Sequence, residues 1–334
     1  MTAKEQNNYL KPELIRTLAT SFQQSRILLT AVELDIFTIL DKHMLTAGEI
    51  SRQIKTDERA TERLMNALVA LGFLGKIHGK FYNAENASQF LVKGKPDFMG
   101  GLYHSIGLWN TWSSLTESVK AGTSVAERKP SSTGINWSEA FIGAMHYRAV
   151  KEAKIIAMML DLAEIRSMLD VGGGSGAFSM AFVQLNPNIT ATVFDLPNIL
   201  PITKKYVDEE NMNGRVNLLG GNMLEDDFNG TYDLIFLSAI VHMHSYNDNK
   251  KLIKKCYDSL NTNGQLIIKD WIMNEDRTEP ASGAFFALNM LVGTAHGDTY
   301  TENEMIEWLN SAGIKNITRK DTSFGSSLLI GKKE

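Results

Sequence analysis

The half of the chain after residue 150 alternates short apolar segments with helical stretches, and no other feature of the sequence limits the possible folds as much. Short apolar segments bounded by polar or glycine-rich turns are typical of buried strands. The predicted strands cover residues 168–172, 190–196, 215–221, 232–238 and 265–271, with a closing hairpin at 315–320 and 326–332. Helices are predicted between them, one ending at Leu185, one starting at Pro197 and one ending at Leu260. This order predicts a mostly parallel sheet with helices on both faces.

Composition limits the classes of partner and the compartment. The formal net charge of -4 gives no bulk attraction to nucleic acid or to anionic membranes. The one cysteine, Cys256, can form neither an intrachain disulfide nor a thiolate metal site, which suits a reducing cytoplasm. The first twenty residues lack an apolar signal segment, and the apolar run at 284–293 is too short to cross a bilayer. The sequence therefore predicts a soluble cytoplasmic protein with no nucleic-acid or membrane partner.

The N-terminal part of the chain has the pattern of a winged helix. After helices expected between residues 13 and 40, helices are predicted at 47–54 and 58–71, followed by a hairpin around His78 and Gly79. Winged helices often bind DNA, but residues 57–72 carry two arginines against three acids and no basic stripe. A scaffold or dimerisation role is predicted instead.

The segment MLDVGGGSGAFS at 168–179 has the glycine spacing of a nucleotide-binding loop. Gly172, Gly174 and Ala177 fit the dinucleotide pattern, and Asp195 lies 23 residues beyond Gly172, where that pattern expects a ribose-binding acid. Asp170 argues against a dinucleotide, because its carboxylate would lie close to a pyrophosphate. S-adenosylmethionine has no phosphate and carries an ammonium and a sulfonium, so Asp170 favours this cofactor.

Further cofactor contacts are expected where the parallel strands end, since ligands bind at the carboxyl edge of such a sheet. Asp195 can accept both ribose hydroxyls, and the Asn222-Met223 pair can offer an amide and a soft apolar surface to adenine. The residues predicted to bind the cofactor are Asp170, Gly172, Gly174, Asp195, Leu196, Asn222, Met223 and Ser238.

Four segments carry a resemblance to a known family: LDVGGGSG, FDLPNIL, GGNM and LSAIVHMHSYNDNKKLIKKCYDSLNTNGQLIIKD. They resemble the S-adenosylmethionine-dependent O-methyltransferases of plant phenylpropanoid and bacterial secondary metabolism, and the similarity extends over residues 20–332. The resemblance implies an α/β fold: a Rossmann-like class I methyltransferase domain with a mostly parallel seven-stranded sheet, preceded by an all-α and winged-helix dimerisation domain. It also implies a homodimer that methylates a hydroxyl of a small aromatic or polyketide-like acceptor.

The predicted domain bounds follow from this resemblance. Residues 1–100 are expected to form the dimerisation domain, 101–149 a helical connector that contributes to the substrate pocket, and 150–334 the cofactor-binding catalytic domain. The family pocket positions imply substrate contacts from Met145, His146, Met243, Asn289 and Met290.

The resemblance implies that His242 is the general base, because a phenol of pKa about 10 needs its proton removed near pH 7. Plant members have Asp and Trp after this histidine, whereas this chain has Met243 and His244. They have Glu where Asp270 stands and a second Glu where Thr299 stands. Asp270 is expected to orient His242 through a hydrogen bond, whereas Thr299 can supply no carboxylate.

Two alternatives stay open at the level of sequence. The enzyme could methylate carbon or nitrogen, with His242 and His296, and His244 as a third nitrogen, holding a metal ion, although no metal site is predicted. A winged-helix regulator that senses S-adenosylmethionine is the non-enzymatic alternative.

Overall fold

A computed structural model describes residues 11–126 and 137–334. The described residues divide into two compact units, with the boundary between Ile106 and Gly107. The helices are α1 (Pro12–Thr20), α2 (Phe22–Glu33), α3 (Ile36–Ile39), α4 (Ala47–Ile54), α5 (Glu58–Ala70), α6 (Glu85–Phe90), α7 (Leu102–Trp112), α8 (Leu115–Ala121), α9 (Trp137–Met159), α10 (Ala177–Leu185), α11 (Leu200–Glu209), α12 (Tyr246–Asp258), α13 (Ala281–Gly293) and α14 (Glu302–Ala312). The strands are β1 (Leu45–Thr46), β2 (Leu74–Ile77), β3 (Lys80–Asn83), β4 (Ser167–Val171), β5 (Thr190–Asp195), β6 (Val216–Gly220), β7 (Tyr232–Ser238), β8 (Leu260–Asp270), β9 (Ile272–Met273), β10 (Tyr300–Thr301), β11 (Lys315–Asp321) and β12 (Ser327–Lys332).

The N-terminal unit contains the predicted winged helix. α4 begins at a capping box, in which Thr46 Oγ1 accepts from the Glu49 backbone N–H and a Glu49 carboxylate oxygen accepts from the Thr46 N–H. β2 and β3 pair antiparallel across His78 and Gly79, and β1 joins the free edge of β3. His78 and Gly79 both have positive φ, as a two-residue hairpin turn requires. The hairpin and both helices are therefore confirmed.

The C-terminal unit is built on a seven-stranded sheet within residues 137–334, in the order β11-β12-β8-β7-β4-β5-β6. β4 to β8 run parallel to one another, and the hairpin of β11 and β12 adds to the edge of β8, where β12 pairs with β8 antiparallel. Buried side chains form one hydrophobic cluster on each face, because successive residues of a strand point to opposite faces. The chain reverses direction across the sheet at β4, between β5 and β7, and this switch point is where ligands bind in such folds.

Some predicted boundaries differ from the structure. The helix expected from Pro197 begins at Leu200, since residues 197–199 form a turn. The strand expected at 265–271 begins at Leu260, and the preceding helix ends at Asp258 instead of Leu260. The polar residues Asn261, Thr262 and Asn263 carry no apolar signal, yet they extend the same strand. Sheet pairing outweighs side-chain polarity there.

The predicted domain bounds stay a prediction. α9 runs from 137 to 159 without a break, so the expected boundary between residues 149 and 150 falls inside one helix. Residues 127–136 of the predicted connector lie outside the described residues. No helix in the described ranges has both the length and the apolar character needed to cross a membrane.

Candidate functional site

The glycine loop follows β4 and leads into α10. Gly172 has a φ of +68° and donates its N–H to the Phe194 carbonyl at 2.7 Å, which continues the pairing of β4 with β5. A Cβ at this position would lie 2.2 Å from Ile240 Cδ1 and 3.1 Å from Met223 Cε. Both the left-handed backbone and the close packing therefore require glycine.

Asp195 ties the end of β5 to this loop. Its Oδ2 accepts the Gly174 N–H at 2.8 Å, and its Oδ1 accepts the Leu196 N–H at 2.7 Å. Gly174 has a φ of +56°, so the orientation of its N–H toward Asp195 depends on a conformation that L residues rarely adopt. Each carboxylate oxygen keeps a lone pair for a further donor, such as a ribose hydroxyl.

Asp170 lies within β4, beneath the loop. Its Oδ2 accepts a hydrogen bond from Ser179 Oγ at 2.8 Å, and a Cβ at Gly173 would come within 2.8 Å of its Cγ. Burial, with a smaller contribution from the charge of Asp195, raises the pKa of Asp170 to about 7. Burial also raises the pKa of Asp195. No lysine or arginine of the described ranges forms an ion pair with either carboxyl, so this pair suits a ligand that brings a positive charge.

The other predicted cofactor residues surround the same strand ends. Asn222 is in a turn, where its Oδ1 accepts the Leu224 N–H at 3.0 Å and its N–H donates to Asp226. Met223 packs beside Gly172 through its thioether methyl group. Ser238 ends β7, next to β4, and Leu196 is 45% exposed. The structure thus gathers these positions at one edge of the sheet.

His242 and Asp270 form a buried hydrogen-bonded pair. His242 lies in a short 3₁₀ helix after β7, and Asp270 is the last residue of β8. Nδ1 of His242 is 2.8 Å from Asp270 Oδ1 and 3.0 Å from Oδ2. The Trp271 N–H also donates to Asp270 Oδ1 at 2.8 Å, which holds the carboxylate in place. Because a carboxylate accepts, Nδ1 is the donor of this hydrogen bond, and in the neutral imidazole Nε2 is then left with a lone pair. The expected orientation of His242 by Asp270 is thus present.

Trp271 and Phe286 lie beside the His242–Asp270 pair, and the sequence did not predict this aromatic pair. The rings of Trp271 and Phe286 stack at 3.9 Å between centroids. The Phe286 ring is 4.7 Å from the His242 ring, edge to face, and the Trp271 ring is 5.7 Å from it. The buried imidazole therefore adjoins a half-buried aromatic surface, which suits a flat conjugated molecule.

The predicted substrate residues divide into two groups. His146 Nδ1 is 2.9 Å from Ser175 Oγ in the glycine loop, and its ring stacks on Tyr206 at 3.9 Å. Burial lowers the pKa of His146, which favours its neutral form. These contacts associate His146 with the glycine loop and with α11, and its substrate contact stays a prediction. Its neighbour Met145 is partly buried on the same helix.

The second group is near α13. Asn289 Oδ1 accepts the Trp112 indole N–H at 2.9 Å, which joins α7 to α13. Met290 is buried, whereas Met243 is 44% exposed. Thr299 is buried and donates to the Gly283 carbonyl at 3.4 Å, a structural contact that replaces the second carboxylate of the plant members.

A buried ion pair lies on the face of β8 opposite to Asp270, and the sequence did not predict it. Lys269 Nζ is 2.7 Å from Glu152 Oε2 of α9, with side-chain exposures of 8% and 5%. Glu152 Oε1 also accepts from Arg148 Nε at 3.1 Å. The guanidinium carbon of Arg148 lies 5.3 Å from the Trp271 ring centroid. The signal was a lysine inside the apolar strand segment LIIKD, since a charge at such a position needs a buried partner.

The geometry gives the metal-assisted alternative no ligand cluster. Among the residues that the structure describes, no group of three or more His, Cys, Asp or Glu side chains could hold a metal ion. Nδ1 of His242 is occupied by Asp270. His244 Nε2 is buried and finds no hydrogen-bond partner in the described part of the chain, and burial lowers the pKa of this histidine.

Comparison with known proteins finds O-methyltransferase families in both the N-terminal and the C-terminal part of the chain. The family described as O-methyltransferase dimerisation domain matches residues 17–94, and the O-methyltransferase domain family matches residues 131–315. The chain is 29% identical to 3-hydroxy-5-methyl-1-naphthoate 3-O-methyltransferase of Streptomyces sahachiroi, over 92% of this chain and 90% of that protein. It is 25% identical to the N,N-dimethyltransferase OxyT of Streptomyces rimosus, over 95% of each.

A solved structure with the same fold is that of PigF with SAH. It superimposes with a TM-score of 0.88 at 23% identity, over 97% of this chain and 100% of that one. The seven-stranded sheet, the winged-helix unit and the two family matches agree. The chain belongs to the S-adenosylmethionine-dependent O-methyltransferase family, with an N-terminal dimerisation domain and a class I methyltransferase domain.

Proposed function

We propose that this methyltransferase transfers the methyl group of S-adenosylmethionine to a hydroxyl of a small aromatic or polyketide-like acceptor, with His242 as the general base. The observation that carries the proposal is the His242–Asp270 pair, whose 2.8 Å hydrogen bond leaves Nε2 as the basic atom beside Trp271 and Phe286. A positioned base with a free lone pair is what a phenol needs for reaction near neutral pH.

The charges at the glycine loop fit the cofactor. S-adenosylmethionine supplies an electrophilic methyl group on a positively charged sulfur. We propose that Asp195 accepts hydrogen bonds from the ribose hydroxyls and that Asp170 favours the ammonium group through its negative charge. Asn222, Met223, Leu196 and Ser238 are proposed to border the adenine and ribose, with Gly172 and Gly174 allowing close approach.

The chain itself has two tasks in the reaction. The aromatic pair Trp271 and Phe286 orients a flat acceptor, and alignment of reacting groups contributes about 7–11 kcal/mol in well-oriented systems. Nε2 of His242 takes the hydroxyl proton as the oxygen bonds to the methyl carbon and the carbon–sulfur bond breaks. Asp270 stabilises the resulting imidazolium and keeps the proton of Nδ1 in place.

Relatives support both the acceptor class and one alternative. The name of the Streptomyces sahachiroi relative gives a hydroxynaphthoate as acceptor, which agrees with the aromatic surface here. The N,N-dimethyltransferase OxyT favours an amine as the second candidate acceptor. Incubation with labelled S-adenosylmethionine and matched phenols, anilines and keto acids distinguishes these, once the labelled product atom is located. We expect label on oxygen; transfer to nitrogen or carbon with phenols inert would overturn the oxygen assignment.

Cofactor affinity should depend on pH through Asp170. Its pKa in the free protein is raised to about 7 by burial. A bound cation favours the ionised form of Asp170. Below this pKa, binding therefore releases a proton from Asp170, whereas above it the carboxyl is already ionised and no proton is released. We expect the S-adenosylmethionine Kd to rise by up to about tenfold per unit as the pH falls below 7, and to level off above it. Calorimetric titration from pH 5.5 to 8.5 measures this dependence.

The matched variant for this experiment is Asp170→Asn, which removes the titrating group and keeps the size of the side chain. Its affinity should be weaker at pH 8 and should not change with pH in this range. A flat profile in the unmodified protein would contradict an Asp170 carboxyl that titrates near 7 and interacts with the charge of the cofactor.

The dimerisation family match supports a homodimer formed through the N-terminal unit. α1 buries none of its residues within the chain. Leu14, Ile15, Leu18 and Phe22 are each more than half exposed. We propose that this apolar surface packs against a second copy.

We also propose a cytoplasmic location, in keeping with the single cysteine of the chain. Cys256 is buried, and burial raises the pKa of its thiol to about 12.

A further inference from the structure

We propose that Arg148 forms an anion-binding subsite at the acceptor pocket, and that the acceptor therefore carries a carboxylate, or a comparably acidic group, on its aromatic framework. This inference rests on the proposed function, since it takes Trp271, Phe286 and His242 as the acceptor surface. It follows from the charges and contacts of Arg148, Glu152 and Lys269.

The first step is the balance of charge in this cluster. Two cations share one carboxylate: Lys269 Nζ is 2.7 Å from Glu152 Oε2, and Arg148 Nε is 3.1 Å from Glu152 Oε1. Lys269 is the more buried cation, at 8% side-chain exposure against 49% for Arg148. A buried ammonium needs a full counter-charge, so Glu152 is committed to Lys269. The positive charge left over is that of the accessible guanidinium.

The second step is the position of that guanidinium. Its carbon lies 5.3 Å from the Trp271 ring centroid, and the His242 ring is 5.7 Å from the same indole. Both groups therefore border the same indole, and an acceptor that extends past Trp271 with its hydroxyl at His242 would bring its other end toward Arg148. Nε is held by Glu152, which fixes the plane of the guanidinium. In the described part of the chain no partner is found for Nη1 or Nη2.

The third step is the chemistry of recognition. Arginine presents paired N–H groups that match the two oxygens of a carboxylate, and such charge-assisted hydrogen bonds are roughly twice as strong as neutral ones. A phenolic acceptor without an acid would leave the Nη groups of this half-exposed guanidinium to water alone. The cluster therefore favours an acceptor with an anionic group at the end opposite the reacting hydroxyl.

Binding is measured by calorimetry with S-adenosylhomocysteine present, so that no turnover is needed. The probes are 4-hydroxybenzoic, 4-hydroxycinnamic and 6-hydroxy-2-naphthoic acids, each compared with its methyl ester. We expect at least one acid to bind tenfold or more tightly than its ester, which corresponds to about 1.4 kcal/mol. In Arg148→Gln this ratio should fall to near one, with the Kd of the ester unchanged.

The matched control is Lys151→Gln, which removes the same charge from α9. Lys151 donates to the hydroxyl of Tyr147 and lies over that ring, and within residues 137–334 no contact of Lys151 with Trp271 is found. This variant should keep the preference for the acid. Arg148→Gln should also keep its thermal midpoint, because Lys269 still pairs with Glu152.

Three outcomes overturn the subsite: no acid binds better than its ester, none of the probes binds, or Arg148→Gln keeps the full preference. The outcome is separable from that of the proposed function. Binding of an acid through Arg148 with no methyl transfer to its hydroxyl would contradict the proposed O-methylation and leave the subsite intact. Efficient methylation of uncharged phenols with no preference for acids would contradict the subsite and leave the proposed O-methylation intact.

Discussion

Replacing His242 by glutamine is expected to lower kcat with a phenolic acceptor by about 10²- to 10⁴-fold, the range that a positioned general base contributes. Glutamine can still bond to Asp270, so the local packing is largely kept, but its amide has no basic nitrogen to replace Nε2. The Kd of S-adenosylmethionine should stay unchanged, because its proposed contacts lie at the ends of β4, β5 and β6. Initial rates at saturating acceptor and calorimetric titration of the cofactor measure the two effects.

The pH profile separates loss of a base from a general disturbance of the site. Without a base, only acceptor molecules already ionised in solution can react, so the activity of His242→Gln should keep rising toward the phenol pKa of about 10. A merely structural effect would lower the rate at every pH by a constant factor. Near-normal kcat in this variant would contradict the base role. An equal loss in His244→Gln and His296→Gln would instead favour the metal-assisted alternative.

Replacing Glu152 by glutamine should lower the free energy of unfolding by about 3–5 kcal/mol, since it leaves the ammonium of Lys269 buried without a counter-charge. Lys269 is 8% exposed, and its Nζ also lies over the face of the Phe178 ring, 5.4 Å from the centroid. The glutamine carbonyl can accept one hydrogen bond but cannot neutralise the charge. Urea unfolding followed by tryptophan fluorescence measures the change.

Two further variants test the cause. In the double variant Glu152→Gln and Lys269→Met, no buried charge is left unpaired, so most of the lost stability should return. Glu117→Gln is the matched control, because Glu117 pairs with Lys120 at 63% and 67% side-chain exposure and such pairs contribute about 0–1 kcal/mol. A loss below 1 kcal/mol in Glu152→Gln, or simply additive losses in the double variant, would contradict this account.

Much of the fold was predictable because its signals are local. The apolar segments around β4, β5 and β7 end within two residues of the observed strands, and the hairpin at His78 and Gly79 has the turn chemistry expected there. The predicted start of α11 at Pro197 is three residues too early, since proline is favourable both in the first turn of a helix and in a turn before one. The polar start of β8 has no local signal at all.

The site was predictable only where a motif stands for it. His242 and Asp270 came from family positions, and the structure brings them to 2.8 Å. His146 also came from a family position, yet its contacts are with Ser175 of the glycine loop and Tyr206 of α11. The family motif marks where a residue lies along the chain, but its neighbours depend on how α9 packs.

The sequence by itself determined the alternation of strands and helices, the glycine turn after β4 and the acids near the strand ends, because each depends on residues close together in the chain. Only the tertiary structure decided which distant residues meet. β7 and β8 add on one side of β4, and α9 packs over the same face as Lys269. Lys269 and Asp270 are adjacent on β8 and point to opposite faces of the sheet. Lys269 therefore pairs with Glu152, whereas Asp270 bonds to His242. The alternation of these two side chains follows from the two-residue period of a strand. The residues that each of them meets depend on tertiary packing, which no local pattern encodes.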